Sequence, residues 1–141
     1  MKKSVKVLIA LVALIFIFSF TPTKNQHVGT WKGVDEGVTA YFIFDSAGFA
    51  TFQFDGKNIG GRSFVMEGTT AQMTYVIDYT TKPISIDLIV SAVKTGEEIQ
   101  RAKGIVEFVS AEKMKVNIDF LSKGRPTSFT GEDAFVLTKE K

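Results

Sequence analysis

The sequence predicts an all-β domain, an antiparallel up-and-down β-barrel of eight to nine strands. Three observations carry that expectation. From residue 27 onward, apolar and polar residues alternate with period two almost throughout, the pattern of half-buried strands. Turn-forming residues punctuate the alternation at near-regular spacing, and no helical period lasts longer than one turn. Consecutive hairpins of this kind are antiparallel, and they bury one face by closing as a barrel or by folding over as a sandwich.

HVGTWKGV (27–34) is a short first strand. VTAYFIFD (38–45) and FATFQFD (49–55) are joined by Ser46-Ala47-Gly48, with Gly48 where a hairpin bulge wants a left-handed residue. The Gly60-Gly61 pair in NIGGR lacks the GxGxxG frame of a phosphate loop and reads as a turn. RSFVMEG (62–68) and AQMTYVIDY (71–79) are separated by Gly68-Thr69-Thr70. PISIDLIVSAV (83–93) opens on Pro83, at the strand position where a missing N–H does least harm. IQRAKGIVEFVS (99–110) and KMKVNIDFLS (113–122) meet across Ala111-Glu112, and DAFVLTKEK (133–141) is the last strand. No repeat of about 40 residues emerges, so a solenoid or propeller is not expected.

The first twenty residues do not belong to this pattern. MKKSVK is basic and Val7 to Phe20 is an apolar run of fourteen residues, short for a bilayer span but suited to a signal peptide. Pro22 breaks any helix that would extend beyond this run, and cleavage is expected after Thr23, leaving a single domain over 24–141. An uncleaved N-terminal anchor is the alternative. Either way the domain is expected to be exported, to the periplasm or the extracellular medium. With no cysteine, neither lipid attachment through a thiol nor a disulfide framework is available. Removing Lys2, Lys3 and Lys6 from the 17 basic residues leaves 14 against 15 acidic, a net charge of −1. No basic cluster interleaved with aromatics survives, which disfavours nucleic-acid binding.

Three short words repeat: Ile77-Asp78-Tyr79, Ile86-Asp87-Leu88 and Ile118-Asp119-Phe120. Three carboxylates could converge on a metal or substrate, but the alternation argues otherwise. Met73, Tyr75, Ile77 and Tyr79 share one face, opposite Thr74, Val76 and Asp78. Ile84, Ile86, Leu88 and Val90 share another, opposite Ser85, Asp87 and Ile89. Met114, Val116, Ile118 and Phe120 stand opposite Lys113, Lys115, Asn117 and Asp119. Burying an unpaired carboxylate costs several kcal/mol, so the apolar faces go inward and the acids go to water.

Other chemistry is thin. His27 is the only histidine and reads as an exposed residue ahead of the first strand. Zinc would need three or four ligands that the chain cannot muster from Cys and His, and no nucleophile is positioned by His27. Glu97-Glu98 and Glu132-Asp133 flank turns and read as solvated charge. No cofactor, metal site or catalytic group is expected, and the domain is not expected to be an enzyme.

Gly29-Thr30-Trp31 resembles the G-x-W signature of lipocalin and calycin barrels. KPISIDL (82–88), KGIVEF (103–108), RPTSF (125–129) and FVLTK (135–139) together resemble the secreted bacterial lipocalin-like domain family, over most of 28–139. Val106 stands where that pattern has an aromatic residue. The resemblance implies a barrel whose Trp31 plugs the closed end beneath a basic side chain. Arg125 is the first choice for that cation and Lys139 the second. RPTSF is expected to turn at Pro126 and drop Phe129 into the core.

The functional expectation is a binding barrel for a small apolar or amphipathic ligand. Its wall would be Phe42, Phe44, Phe52, Phe54, Met73, Tyr75, Ile77, Ile86, Leu88, Met114, Val116, Ile118 and Phe120, with the Tyr75 hydroxyl orienting a head group. The alternative is a protein–protein module, an inhibitor or envelope accessory protein, with a side-chain-filled core and Val76, Ile89 and Val106 exposed outside.

Overall fold

The computed structural model describes residues 21–131 and 134–141. The signal-peptide expectation rests on residues 1–20, which lie outside the described residues, as does the Glu132-Asp133 pair. The described chain folds into ten strands: β1 (Gly29–Asp35), β2 (Val38–Phe44), β3 (Ala50–Phe54), β4 (Lys57–Gly60), β5 (Phe64–Met66), β6 (Thr69–Asp78), β7 (Ile84–Ala92), β8 (Glu98–Ser110), β9 (Lys113–Asp119) and β10 (Ala134–Lys139). All pairings are antiparallel, and β10 returns to pair with β1, Trp31 lying opposite Lys139. The sheet order β4-β3-β2-β1-β10-β9-β8-β7-β6-β5 curls into a nearly closed up-and-down barrel.

The strand beyond the expected eight or nine is β4. Lys57–Gly60 forms the return arm of a hairpin on β3, so NIGGR is strand as far as Gly60 and turns only after it. Asp55 and Gly56 both take positive φ (49° and 71°), the two-residue hairpin turn for which Asp-Gly is a strong sequence signal. Four residues holding one large apolar side chain, Ile59, are too few to display an alternation.

The seam of the barrel lies between β4 and β5, which follow each other in sequence yet do not pair. Below them the wall is stitched by backbone bonds. The Gly61 N–H donates to Ala50 O (2.7 Å), and Gly61 O accepts from the Met73 N–H (2.8 Å). Phe49 bridges Thr74, and the Tyr75 N–H donates to Gly48 O (3.0 Å). Arg62 reinforces this base, its guanidinium 4.2 Å from the Phe49 ring centroid.

Inward positions follow the expected faces. Phe44, Met73, Ile86, Leu88, Met114, Val116 and Ile118 belong to one buried cluster with Trp31, Phe108 and Leu137, and Phe42, Phe52, Tyr75 and Ile77 pack against it half-buried. Phe54 and Phe120 are each 42% exposed, at the rim. Val106 is a correction: it points inward and is buried, one residue out of the register expected for 99–110. Its neighbour Ile105 points outward instead. Ile105 is nonetheless buried, because the 120–131 segment crosses outside it: Asn117, its partner on β9, donates from Nδ2 to Ser128 O (2.8 Å). Phe129 stays on this outer strap, half-buried and outside the core cluster, contrary to the expectation for RPTSF.

All three aspartates lie on the outside and act locally. Asp78 accepts from the Thr80 N–H (2.9 Å) and hydroxyl (2.6 Å), which hold its carboxyl below the usual range. Asp119 accepts from the Leu121 and Gly124 N–H groups, capping the turn after β9. Asp87 takes Arg101 at 2.9 Å and Arg125 at 2.7 Å. Partial burial pushes the Asp87 carboxyl up, and the two guanidinium groups outweigh it and bring the net shift down. Among the described residues, no group of three or more His, Asp or Glu side chains is placed to hold a metal ion.

Candidate functional site

The interior divides into a packed end and a hollow end. Trp31 organises the packed one. Its ring is fully buried against Phe108 (centroids 6.1 Å apart), and Nε1 donates to His27 O at 2.8 Å. The cation over it is Lys139, with Nζ 5.4 Å from the ring centroid and 3.3 Å from Gln26 O, to which it donates. Arg125, the first choice from the sequence, is on the outer wall, donating to Gly104 O (2.9 Å) and Asp87. The glycine of G-x-W makes the lysine's position possible: a Cβ on Gly29 would lie 2.9 Å from Lys139 Cε.

His27 is the largest departure from expectation. It is 5% exposed, because residues 23–28 fold across the barrel end as a plug. The Gln26 amide anchors that plug by donating to Ser110 O (3.0 Å). Tyr75 donates its hydroxyl proton to Asp45 O at 2.6 Å, so its oxygen can only accept from His27 Nε2, 3.0 Å away. In the neutral imidazole, Nδ1 then accepts from the Tyr79 hydroxyl at 2.7 Å, while Tyr79 accepts the His27 N–H at 3.3 Å. The same environment favours that neutral form. Burial pushes the His27 pKa down, and the positive charge of Lys139 pushes it further. Burial also raises the two tyrosines. The Tyr75 hydroxyl, expected from the sequence to orient a ligand head group, is thus engaged at the plug.

The sign of the resulting pH effect is fixed. Unfolded histidine titrates near 6.5 and folded His27 lower, so between those values the unfolded chain holds more protons. Stability is full above pH 6.5 and is expected to fall as pH drops through that value toward the folded pKa. Because the chain has one histidine, urea unfolding between pH 7.5 and 5 isolates it. A flat profile, or one unchanged in His27→Phe, would contradict the proton assignment.

At the opposite end, a hollow of about 270 Å³ opens beside the seam. Phe52, Phe54, Met73, Leu88 and Phe120, all expected wall residues, line it. Ile59, Phe64 and Met66 from the two seam strands, with Val90, Gln100 and Ala102, complete the lining and lie outside the expected wall. The period-two pattern already places Val90 inward, whereas Ile59 is hidden by the shortness of its strand. A second hollow of about 340 Å³ adjoins it across Phe54, lined by Phe42 and Phe135 with Asp35 and Glu36 at the β1–β2 turn. Phe44, Tyr75, Ile77, Ile86, Met114, Val116 and Ile118 line neither hollow; they fill the barrel beneath. Among the described residues no helix is long and apolar enough to cross a membrane.

Comparison of the chain with family models, with curated proteins and with solved structures finds no match.

Proposed function

We propose that this barrel is an exported, non-catalytic, lipocalin-like protein that holds one small apolar or amphipathic molecule at its open end. The observation that carries the reading is the division of the interior. Side chains fill the barrel around Trp31, Met114 and Val116, yet stop short between Phe52, Phe64, Leu88 and Phe120. Apolar walls facing a void forfeit dispersion contacts that a ligand restores. The volume lies just under the usual range of about 300–1,000 Å³ for small-molecule sites, which favours a short ligand. The Trp31–Lys139 arrangement supports the lipocalin-like assignment, and the basic and apolar N-terminal run supports export. His27, the chain's one histidine, is buried in the plug and lines neither hollow, which supports binding without catalysis.

Solvent extraction of protein purified from its own cells, followed by mass spectrometry, is expected to release an apolar compound near one per chain. The neutral fluorophore N-phenyl-1-naphthylamine is expected to brighten and shift to the blue on binding. A protein that carries nothing and leaves the fluorophore dark removes the binding reading. Intact mass of the same sample tests export, with residues 24–141 as the expected product.

A further inference from the structure

We propose that the molecule held in the 270 Å³ hollow is electrically neutral and carries one hydrogen-bonding group, received by Gln100. The inference rests on the binding reading above and names the class of ligand. Gln100 stands on β8 opposite Val90, and its side chain is the only polar one lining this hollow among the described residues. The amide has no hydrogen-bond partner among the described residues, and since no buried side-chain polar atom there lacks a partner, it is open to the water of the hollow. Water serves this amide when the hollow is empty, and a ligand's polar group, entering between apolar walls with no other polar side chain to meet, can take that water's place. A primary amide both donates and accepts, so an alcohol, ketone, ester or amide would serve equally.

Two features argue for neutrality, and a third weighs against an anion in particular. No charged side chain lines the hollow among the described residues, so an ionised head group would lose its hydration there with nothing to replace it. The nearest carboxylate along β8 is turned away. The pairing shifts between Val90 and Ser91, setting Ser91 opposite Glu98 and leaving Ile99 as the extra residue of a bulge. Glu98 then shares the outer face with Arg101 and pairs with it at 2.7 Å. Finally, Asp35 and Glu36 line the adjoining hollow, so an anionic head displaced past Phe54 would meet like charge.

The test is displacement of N-phenyl-1-naphthylamine at pH 7.5 by three molecules sharing one chain: 1-octanol, octanoate and octylammonium. Octanol is expected to displace the fluorophore at a concentration at least about tenfold lower than either ion. Gln100→Leu is expected to weaken octanol relative to the fluorophore by about two- to tenfold, the value of one neutral hydrogen bond. The order among the three on the unaltered protein needs no variant, so a misfolded Gln100→Leu would not blunt the test. Octanoate or octylammonium matching octanol, or an octanol affinity indifferent to Gln100→Leu, overturns this inference and leaves the binding reading standing. A fluorophore that never binds removes both.

Discussion

Trp31→Ala is expected to lower the unfolding free energy by about 3–5 kcal/mol, the usual cost of deleting a buried tryptophan ring. The ring is fully buried at the packed end, and no neighbouring side chain is free to collapse onto its site. Phe108 and Met114 are held by their strands, and Lys139 is tied to Gln26 O. The substitution also strips His27 O of its indole donor, loosening the plug that seats the Tyr75–His27–Tyr79 chain. Lys139→Met should cost less, about 1–2.5 kcal/mol, because it removes one cation–π contact and the hydrogen bond to Gln26 O while keeping most of the side chain's length. Since Trp31 is the only tryptophan, its fluorescence reports on this end alone. Lys139→Met should shift that emission and Arg125→Ala should not. Urea denaturation gives the energies. A Trp31→Ala loss below about 1 kcal/mol would place it among ordinary surface changes and refute the plug as a structural keystone.

Gly60→Ala is expected to open the seam. Gly60 has φ of 101°, a region that L side chains rarely adopt, and a Cβ there would lie 2.5 Å from Ala50 O. The obstruction is backbone, so no rotamer change relieves it. Strain of this kind costs about 1–3 kcal/mol and overpacking adds a comparable amount. Gly61, next in the chain, carries both bonds that stitch β3 to β6, so a displaced Gly60 pulls directly on the closure. Amide exchange should quicken at Gly61 and Met73 before the β7–β8–β9 wall is affected, and fluorophore binding should weaken because Ile59, Phe64 and Met66 flank this seam. Gly60→Ala with unchanged exchange at those two amides would show that the wall closes by some other means.

Much of this architecture is legible in the sequence because a barrel wall obeys a simple rule. Alternation with period two forces one face inward, and it correctly sends Ile86, Leu88, Met114, Val116 and Ile118 to the core and Asp78, Asp87 and Asp119 to the outside. Errors arise where that rule has no grip. β4 is too short to alternate, although Asp55-Gly56 announces its turn. Val106 defeats the rule because β8 has apolar residues on both faces, Ile105 being covered by the strap through 125–128. His27 defeats it because it precedes the first strand, and only the folded chain brings it between Tyr75 and Tyr79, 48 and 52 residues away.

The sequence by itself determined the class of fold, the inward faces of the long strands and the solvent-facing acids, since each follows from the free energy of burying apolar and excluding charged side chains along one strand. The resemblance of Gly29-Thr30-Trp31 to the G-x-W signature added the expectation of a cation over the Trp31 ring. Only the tertiary structure decided which cation covers that ring, where the interior is filled and where it is hollow, and that Gln100 faces the hollow. Those outcomes depend on register between strands far apart in the chain, on a single bulged residue and on the failure of β4 and β5 to pair, and none of these leaves a periodic trace in the sequence.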